Sequence, residues 1–272
     1  MMWRLQELLG EKALRMGMGV AVAIAATGVV AWFYRRFGPS TYLRFPTRFG
    51  TARIYQVDDG QGNTVRLLEV GGIVQSGTYV DDDRCYDLVF EYLKKYDVMF
   101  ERTEPIGRVC VLGCGGYDYP EHLLAHHPEV MVDAVEIDPA ITALARRYFF
   151  LDRALEEFDA EELGRLNLVE ADGRAYLEQP GPTYDAIVND TFDAGEPAPS
   201  LVGVDAARAI HARLNPGGLY LVNVVSALEG PRSSFLHQQV DDLEQVFSQV
   251  DVLQCATDQF SDDDNVIVVA TK

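Results

Sequence analysis

Asp190 and Asp193 stand close together in VNDTFDAGEPAPSL (188–201), directly after the apolar run YDAIVN. Two carboxylates at a strand end can hold an ammonium group and accept a proton as its nitrogen becomes a nucleophile, which is the work of a general base. The competing reading is a loop of solvated acids before Gly195. Three blocks precede this pair in a fixed order: VCVLGCGG (109–116), VEIDP (135–139) and EADG (170–173). Gly113 and Gly115 allow a tight backbone turn beside a ligand, and Gly116 adds room where a side chain would collide. Glu136 ends the next apolar run 23 positions after Gly113, about where an acid binds ribose hydroxyls in open α/β sheets. Asp138 before Pro139 reads as a helix cap. Asp172 can accept from an adenine amino group, or it is a turn aspartate before Gly173. The dinucleotide fingerprint fails because Asp118 occupies its third glycine position; with Glu121 it resembles a capping pair at a helix start that carries Pro120. The set describes a crevice for an adenosyl ligand whose reacting end faces two acids.

The elements that must hold these residues follow from periodicity. From Arg108 onward short apolar runs (RVCVL, MVDAVEI, LNLVE, YDAIVN, GLYLVNVV, VDVLQC, NVIVVAT) alternate with helical stretches near 119–127, 140–150, 204–214 and 234–247. Such alternation predicts a parallel sheet wrapped by helices. The last two runs leave no room for a crossover helix, so they should pair antiparallel. The expected fold is α/β: a seven-stranded Rossmann-like sheet of the S-adenosylmethionine-methyltransferase kind, preceded by a small antiparallel β unit. That unit is predicted from TARIYQV, NTVRLLEV and GIVQSGTYV, with hairpin chemistry in DDGQGN and a helix from Cys85 to Tyr96. The domain reading is an N-terminal segment over 1–36, a linker with two prolines over 37–50, the β unit with its helix over 51–100 and the catalytic domain over 101–272.

Within the N-terminal segment, Met16 to Tyr34 carries no charge and ends in Trp32, Phe33 and Tyr34 before Arg35 and Arg36. That is long enough to cross a hydrocarbon core, and the aromatic-then-basic border is how a span meets an interface. More basic residues follow it than precede it, so the expectation is a single-pass anchor in the cell membrane with a cytoplasmic catalytic domain, against the rival readings of a cleaved signal peptide and of a buried globular helix. A net charge of −19 argues against a nucleic-acid partner; it would attract a cationic substrate, or it is simply a solvated acidic surface. Four cysteines are too few for a disulfide framework. Cys110 and Cys114 belong to a strand and its turn, while His122 and His126 lie one helical turn apart without a third ligand in view, so no metal is expected.

These residues resemble the polyamine aminopropyltransferases, the spermidine synthase family, over about residues 64–225 and more loosely to 272. The most specific element is DTFDAGEPAPSL, similar to the family's Asp-Ser-Ser-Asp-Pro-x-Gly-Pro-Ala-x-Ser-Leu. The resemblance implies a transferase using decarboxylated S-adenosylmethionine as co-substrate and a small amine of polyamine type as acceptor, in a family that commonly dimerises. By the same resemblance Asp190 deprotonates the amine and Asp193 helps bind it, Glu136 holds the ribose, and Asp172 contacts the adenine. Gln75 in VGGIVQ matches a glutamine of the family's Leu-Asp-Gly-x-x-Gln segment, and Tyr86 the tyrosine of its Tyr-His/Gln-Glu segment. This chain departs from the pattern at several positions. The family's loop acid, which holds the amine of the decarboxylated cofactor, is replaced by Gly116 and Tyr117, and Asp118 could substitute if the loop shifts. Asp87 and Leu88 replace the family's His/Gln and Glu, and Asn223 and Val225 replace its Gln and Glu after the fifth strand. Two alternatives stay open: a methyltransferase using intact S-adenosylmethionine, and a membrane-anchored nucleoside-binding protein without turnover.

Overall fold

The computed structural model describes residues 42–193, 196–230, 233–256 and 265–272. From Leu43 onward these form one compact unit built on two sheets. The first is antiparallel, in the order β1 (Leu43–Thr47), β2 (Gly50–Asp58), β3 (Thr64–Val70), β4 (Ile73–Tyr79). Its β2–β3 loop is organised by Asp59, whose carboxylate accepts from the backbone of Gln61 at 2.8 Å and of Asn63 at 2.9 Å. This local aspartate-to-backbone bonding makes DDGQGN a turn. Strand β4 carries Gln75 and Ser76 toward the larger sheet.

That larger sheet contains β5 (Arg108–Leu112), β6 (Met131–Glu136), β7 (Leu166–Glu170), β8 (Tyr184–Asn189), β11 (Leu214–Val225), β12 (Gln249–Gln254) and β13 (Asn265–Thr271). Its order is β12-β13-β11-β8-β5-β6-β7, parallel except that β13 runs against both neighbours. The expected seven-stranded architecture with an antiparallel final pair is therefore present. Two-residue strands β9 (Phe192–Asp193) and β10 (Glu196–Pro197) form a small ribbon after β8.

Successive strand residues face opposite sides of the sheet, so each buried run serves two cores. Val109, Val111, Val132 and Ala134 pack on one side, under α3 (Asp118–His126), α4 (Pro139–Tyr148) and α5 (Leu151–Glu157). Cys110, Leu112 and Val135 pack on the other, under α6 (Gly173–Glu178), α7 (Val204–Arg213) and α8 (Ser234–Glu244). Burial on both faces explains why these strands read as continuous apolar runs.

Two expectations are corrected. The segment 37–50, read as a linker, carries β1: Leu43–Thr47 pairs with β2, and Phe45 packs on the core, although Pro46 withholds a donor as an edge strand permits. The helix expected from Cys85 to Tyr96 shrinks to α1 (Glu91–Lys95), followed by α2 (Val98–Arg102). Phe90 is extended (φ −87°, ψ 136°), so the apolar spacing of Leu88, Val89, Tyr92 and Leu93 reflects burial from two different backbone conformations. The stretch Met16–Tyr34 lies outside the described residues, among which no helix is long and apolar enough to cross a membrane.

Candidate active site

Strand β5 is followed on one side by β6 and β7, and on the other by β8. This is a topological switch point, where open α/β sheets form their ligand crevice. Asp190, Gly113, Glu136 and Asp172 follow β8, β5, β6 and β7 respectively, so sheet order sets them in a row. Three inter-strand spacings make that row roughly 14 Å long. All four line one cavity of about 410 Å³, joined by Gly115 from the glycine turn and Gln75 from β4.

The glycine turn is shaped by close approach. Gly113 has φ +76°, and a Cβ there would stand 2.5 Å from the carbonyl oxygen of Asp190. The turn can sit against the end of β8 only without a side chain. Gly116 plays a different part from the one expected. It lies outside the cavity lining; its N–H donates to Ser76 Oγ at 2.5 Å, and an added Cβ would meet that hydroxyl at 2.9 Å and Asp118 Oδ1 at 3.0 Å. Its small size serves packing of the turn onto β4.

Glu136 is 7% exposed; its two oxygens accept from Cys114 N–H at 3.1 Å and Asp138 N–H at 2.9 Å. Burial pushes its carboxyl above the ordinary glutamate range despite these bonds. Each oxygen keeps a second lone pair, so ribose hydroxyls can donate to it from the cavity. Asp138 caps α4 by accepting from Ala140 N–H at 2.9 Å and also takes the Arg48 N–H at 2.6 Å. Asp172 caps α6 through Oδ1, accepting from Ala175 N–H at 2.9 Å, and the same residue lines the cavity. Its structural and ligand-facing readings are thus compatible. Around it the wall is apolar: Ile137, Ala171, Pro199 and Leu201.

The β8 end is richer than the sequence showed. Asp190 accepts from Asn223 Nδ2 at 3.0 Å and from the Tyr92 hydroxyl at 3.1 Å. Burial pushes its carboxyl up to about 6, while Asn223, Tyr92 and the nearby Tyr96 hydroxyl hold it down. Asp118 does not cap its helix. The N-cap position belongs to Tyr117, in the left-handed region (φ 68°), and Asp118 turns inward to accept from Gly77 N–H at 3.1 Å through Oδ2. Its Oδ1 is buried without an aligned partner. Burial pushes this carboxyl up to about 7, and the charge of Asp190 adds to the rise against the pull of Ser76 and Gly77. The cavity thus holds two buried acids, the charge of Asp190 bearing on Asp118, and among the described residues no lysine or arginine pairs with either.

Like Gly116, Tyr86 stands outside the cavity lining. Its hydroxyl donates to Glu157 Oε2 on α5 at 2.9 Å and its ring packs on Phe158, because the turn after β4 points it along the outer face. Tyr92, Tyr96 and Tyr119 supply the cavity's phenols instead. The side chain of Asp193 lies outside the described part of the structure. Tyr92 and Tyr96 carried no sequence signal beyond apolar spacing, and Asp118 was hidden by its capping pattern.

A crevice of this kind at the switch point of a seven-stranded open α/β sheet belongs to the methyltransferase-like fold. The sequence matches the spermine/spermidine synthase domain over residues 104–272. The chain belongs to the spermine/spermidine synthase family. It is 28% identical over 169 residues to a polyamine aminopropyltransferase of Chromobacterium violaceum, a match covering 62% of this chain and 61% of that protein's length. The fold is similar to that of a probable spermidine synthase from Corynebacterium glutamicum (TM-score 0.66, 20% identity, 85% of this chain and 80% of that one). It is also similar to human methyltransferase-like protein 13 in complex with SAH (TM-score 0.54, 22% identity, 66% and 81% covered).

Proposed function

We propose that the chain is an aminopropyltransferase: it binds decarboxylated S-adenosylmethionine and passes the aminopropyl group to an amine acceptor, a polyamine by chemistry. The observation that carries this reading is the pair Asp118 and Asp190, two buried acids without a cation at the reacting end of a nucleoside row. Burying uncompensated carboxylates is costly, and a ligand that brings ammonium groups removes that cost. Asp118 supplies the negative charge that the family places at position 116, where this chain has glycine. Gln75 lines the acceptor side and Asp193 follows in the adjoining ribbon.

The chemistry needs positioning and a free lone pair. The acceptor nitrogen attacks the propyl carbon beside the sulfonium; the carbon–nitrogen bond forms as the carbon–sulfur bond breaks, and sulfur leaves as a neutral thioether. The displaced N–H proton goes to Asp190. A carboxylate raised to about 6 is a better base than an ordinary aspartate and is still ionised at neutral pH.

Arg48 favours a second reading, methyl transfer from intact S-adenosylmethionine, because its guanidinium would suit the cofactor's carboxylate and the residue lines the cavity. Its backbone is fixed at Asp138, at the ribose end of the row, which weighs for the first reading. Calorimetric titration with both cofactors, then product analysis with putrescine, decides. Tighter binding of the decarboxylated form and an aminopropylated product are expected. Preference for the intact form with methylated product would establish the second reading, and binding without product the non-catalytic one.

The uncharged stretch Met16–Tyr34 with its aromatic and arginine border supports a single-pass tether with the catalytic domain on the cytoplasmic side. Full-length protein should sediment with membranes and need detergent; solubility without it would refute the tether. A homodimer is the accompanying proposal, checked by mass in solution.

A further inference from the structure

Outside the crevice, three side chains from two parts of the chain converge. Asp97 lies between α1 and α2, His122 on α3, and His127 just beyond the end of α3. Each offers one ligand atom, and these atoms lie within 4.8 Å of one another. His126, the residue paired with His122 by helical spacing, is not one of them; its ring stacks on His122 with centroids 4.4 Å apart.

Hydrogen bonding fixes what the cluster can accept. His122 Nδ1 faces the backbone carbonyl of Tyr86 at 3.2 Å. A carbonyl oxygen only accepts, so Nδ1 carries the hydrogen. In the neutral ring Nε2 then presents a lone pair, and it faces Asp97 Oδ2 at 3.3 Å. Two acceptors in contact call for a cation, either a proton on the ring or a metal ion beside it. Asp97 Oδ1 is occupied by the Tyr119 hydroxyl at 3.1 Å, which orients Oδ2 toward the histidines. The His127 ring is held flat on Phe100, with centroids 3.7 Å apart and planes 2° from parallel. An imidazole backed by a carbonyl, as in His122, and a carboxylate backed by a phenol, as in Asp97, are the outer-shell arrangement of metal ligands, while Glu129 Oε1 stands 3.8 Å from His127 Nδ1.

We propose that Asp97, His122 and His127 form a binding site for a divalent transition metal of the zinc class, separate from the transfer reaction. Two imidazoles and one carboxylate suit zinc and its neighbours, which accept nitrogen and oxygen ligands at about 2.0–2.2 Å with solvent completing the shell. His122 and His127 are 12% and 23% exposed, so an ion has a path in. Occupancy would pin the α1–α2 junction to α3. Tyr96 and Tyr119, next to two of the ligands, line the crevice, so the ion would stiffen the wall beside Asp190.

The test uses the full chain stripped with chelator and titrated with Co²⁺ as a spectroscopic probe and with Zn²⁺ followed by thermal unfolding. One ion per chain, visible cobalt d–d absorption and a zinc-dependent rise in melting temperature are expected. His122→Ala and His127→Ala should each weaken binding by at least the 10–100-fold that loss of an outer-shell partner causes. His126→Ala should bind as wild type. Metal-free melts show which variants fold, and Asp97→Asn, which keeps the shape, repeats the test with a mild change. Affinity no better than millimolar, tight binding that survives His122→Ala, or binding lost only with His126→Ala would each overturn the site.

Discussion

Buried carboxylates occur inside the parallel strands and beyond their carboxyl ends, and Asp133 is treated in the opposite way from Asp118 and Asp190. Asp133, inside β6, is 1% exposed and fully partnered. Arg108 reaches it with Nε at 3.1 Å and Nη2 at 2.8 Å to Oδ2, Tyr184 donates its hydroxyl at 2.8 Å, and Asn167 donates Nδ2 to Oδ1 at 3.0 Å. Asp118 and Asp190, beyond the carboxyl ends of the strands, have neutral donors only, and Asp118 Oδ1 has no aligned partner. A buried charge that brings its own cation is finished as structure. One that lacks it and lines the crevice, as Asp118 and Asp190 do, is held ready for a cation from outside, whereas Glu121, equally buried, does not line the crevice.

The largest effect should come from the unfinished pair. Asp190→Asn keeps the hydrogen-bonding shape but cannot take a proton, so turnover should fall by about 10²–10⁴-fold with donor affinity little changed. Single-turnover kinetics beside calorimetry checks this, and equal rates in variant and wild type would remove Asp190 as base. The finished pair should respond in stability instead. Arg108→Met leaves Asp133 buried with neutral partners only and should cost about 3 kcal/mol in urea unfolding, with the turnover of folded protein retained. A loss below about 1 kcal/mol would show that Tyr184 and Asn167 suffice.

The difference between these acids was half legible in the sequence. Runs buried on both faces announced the sheet, and the glycine turn, Glu136, Asp172 and Asp190 could be ordered because each ends a strand. Asp118 was not legible, since its inward turn depends on Tyr117 adopting φ 68° and on Gly77 arriving from another sheet. Tyr86 was misplaced for a related reason: a motif position fixes neighbours along the chain but not the turn that aims the side chain. β1 was missed because Pro46 and the short length obscured a strand whose pairing with β2 is long-range information.

Acidity offers a smaller test. The folded carboxyls of Asp118 and Asp190 stand at about 7 and about 6, above the ordinary aspartate value of 3.8. The folded state thus holds these protons more tightly than the unfolded chain. Their contribution is most favourable below about pH 4 and is lost as pH rises through 6 to 7. Asp118→Asn should flatten this decline and stabilise the empty protein at pH 8 by about 1–3 kcal/mol, while weakening the amine-bearing donor. Identical unfolding midpoints for variant and wild type at pH 8 would contradict the burial argument.

The smallest effect concerns two tyrosines, one inside the unfinished region and one outside it. Tyr92 donates to Asp190 and so favours its charged form. Tyr92→Phe should raise the pKa of Asp190 by about one unit, moving the acid limb of the pH–rate profile upward and lowering turnover at neutral pH by at most about tenfold. Tyr86→Phe removes only a bond to Glu157 on the outer face. It should leave the profile in place and cost at most about 1 kcal/mol of stability. Measuring both profiles with one donor and acceptor compares the regions directly. A shift with Tyr86→Phe and none with Tyr92→Phe would mean that the acceptor is held from the outer face, and that the cavity phenol is packing alone.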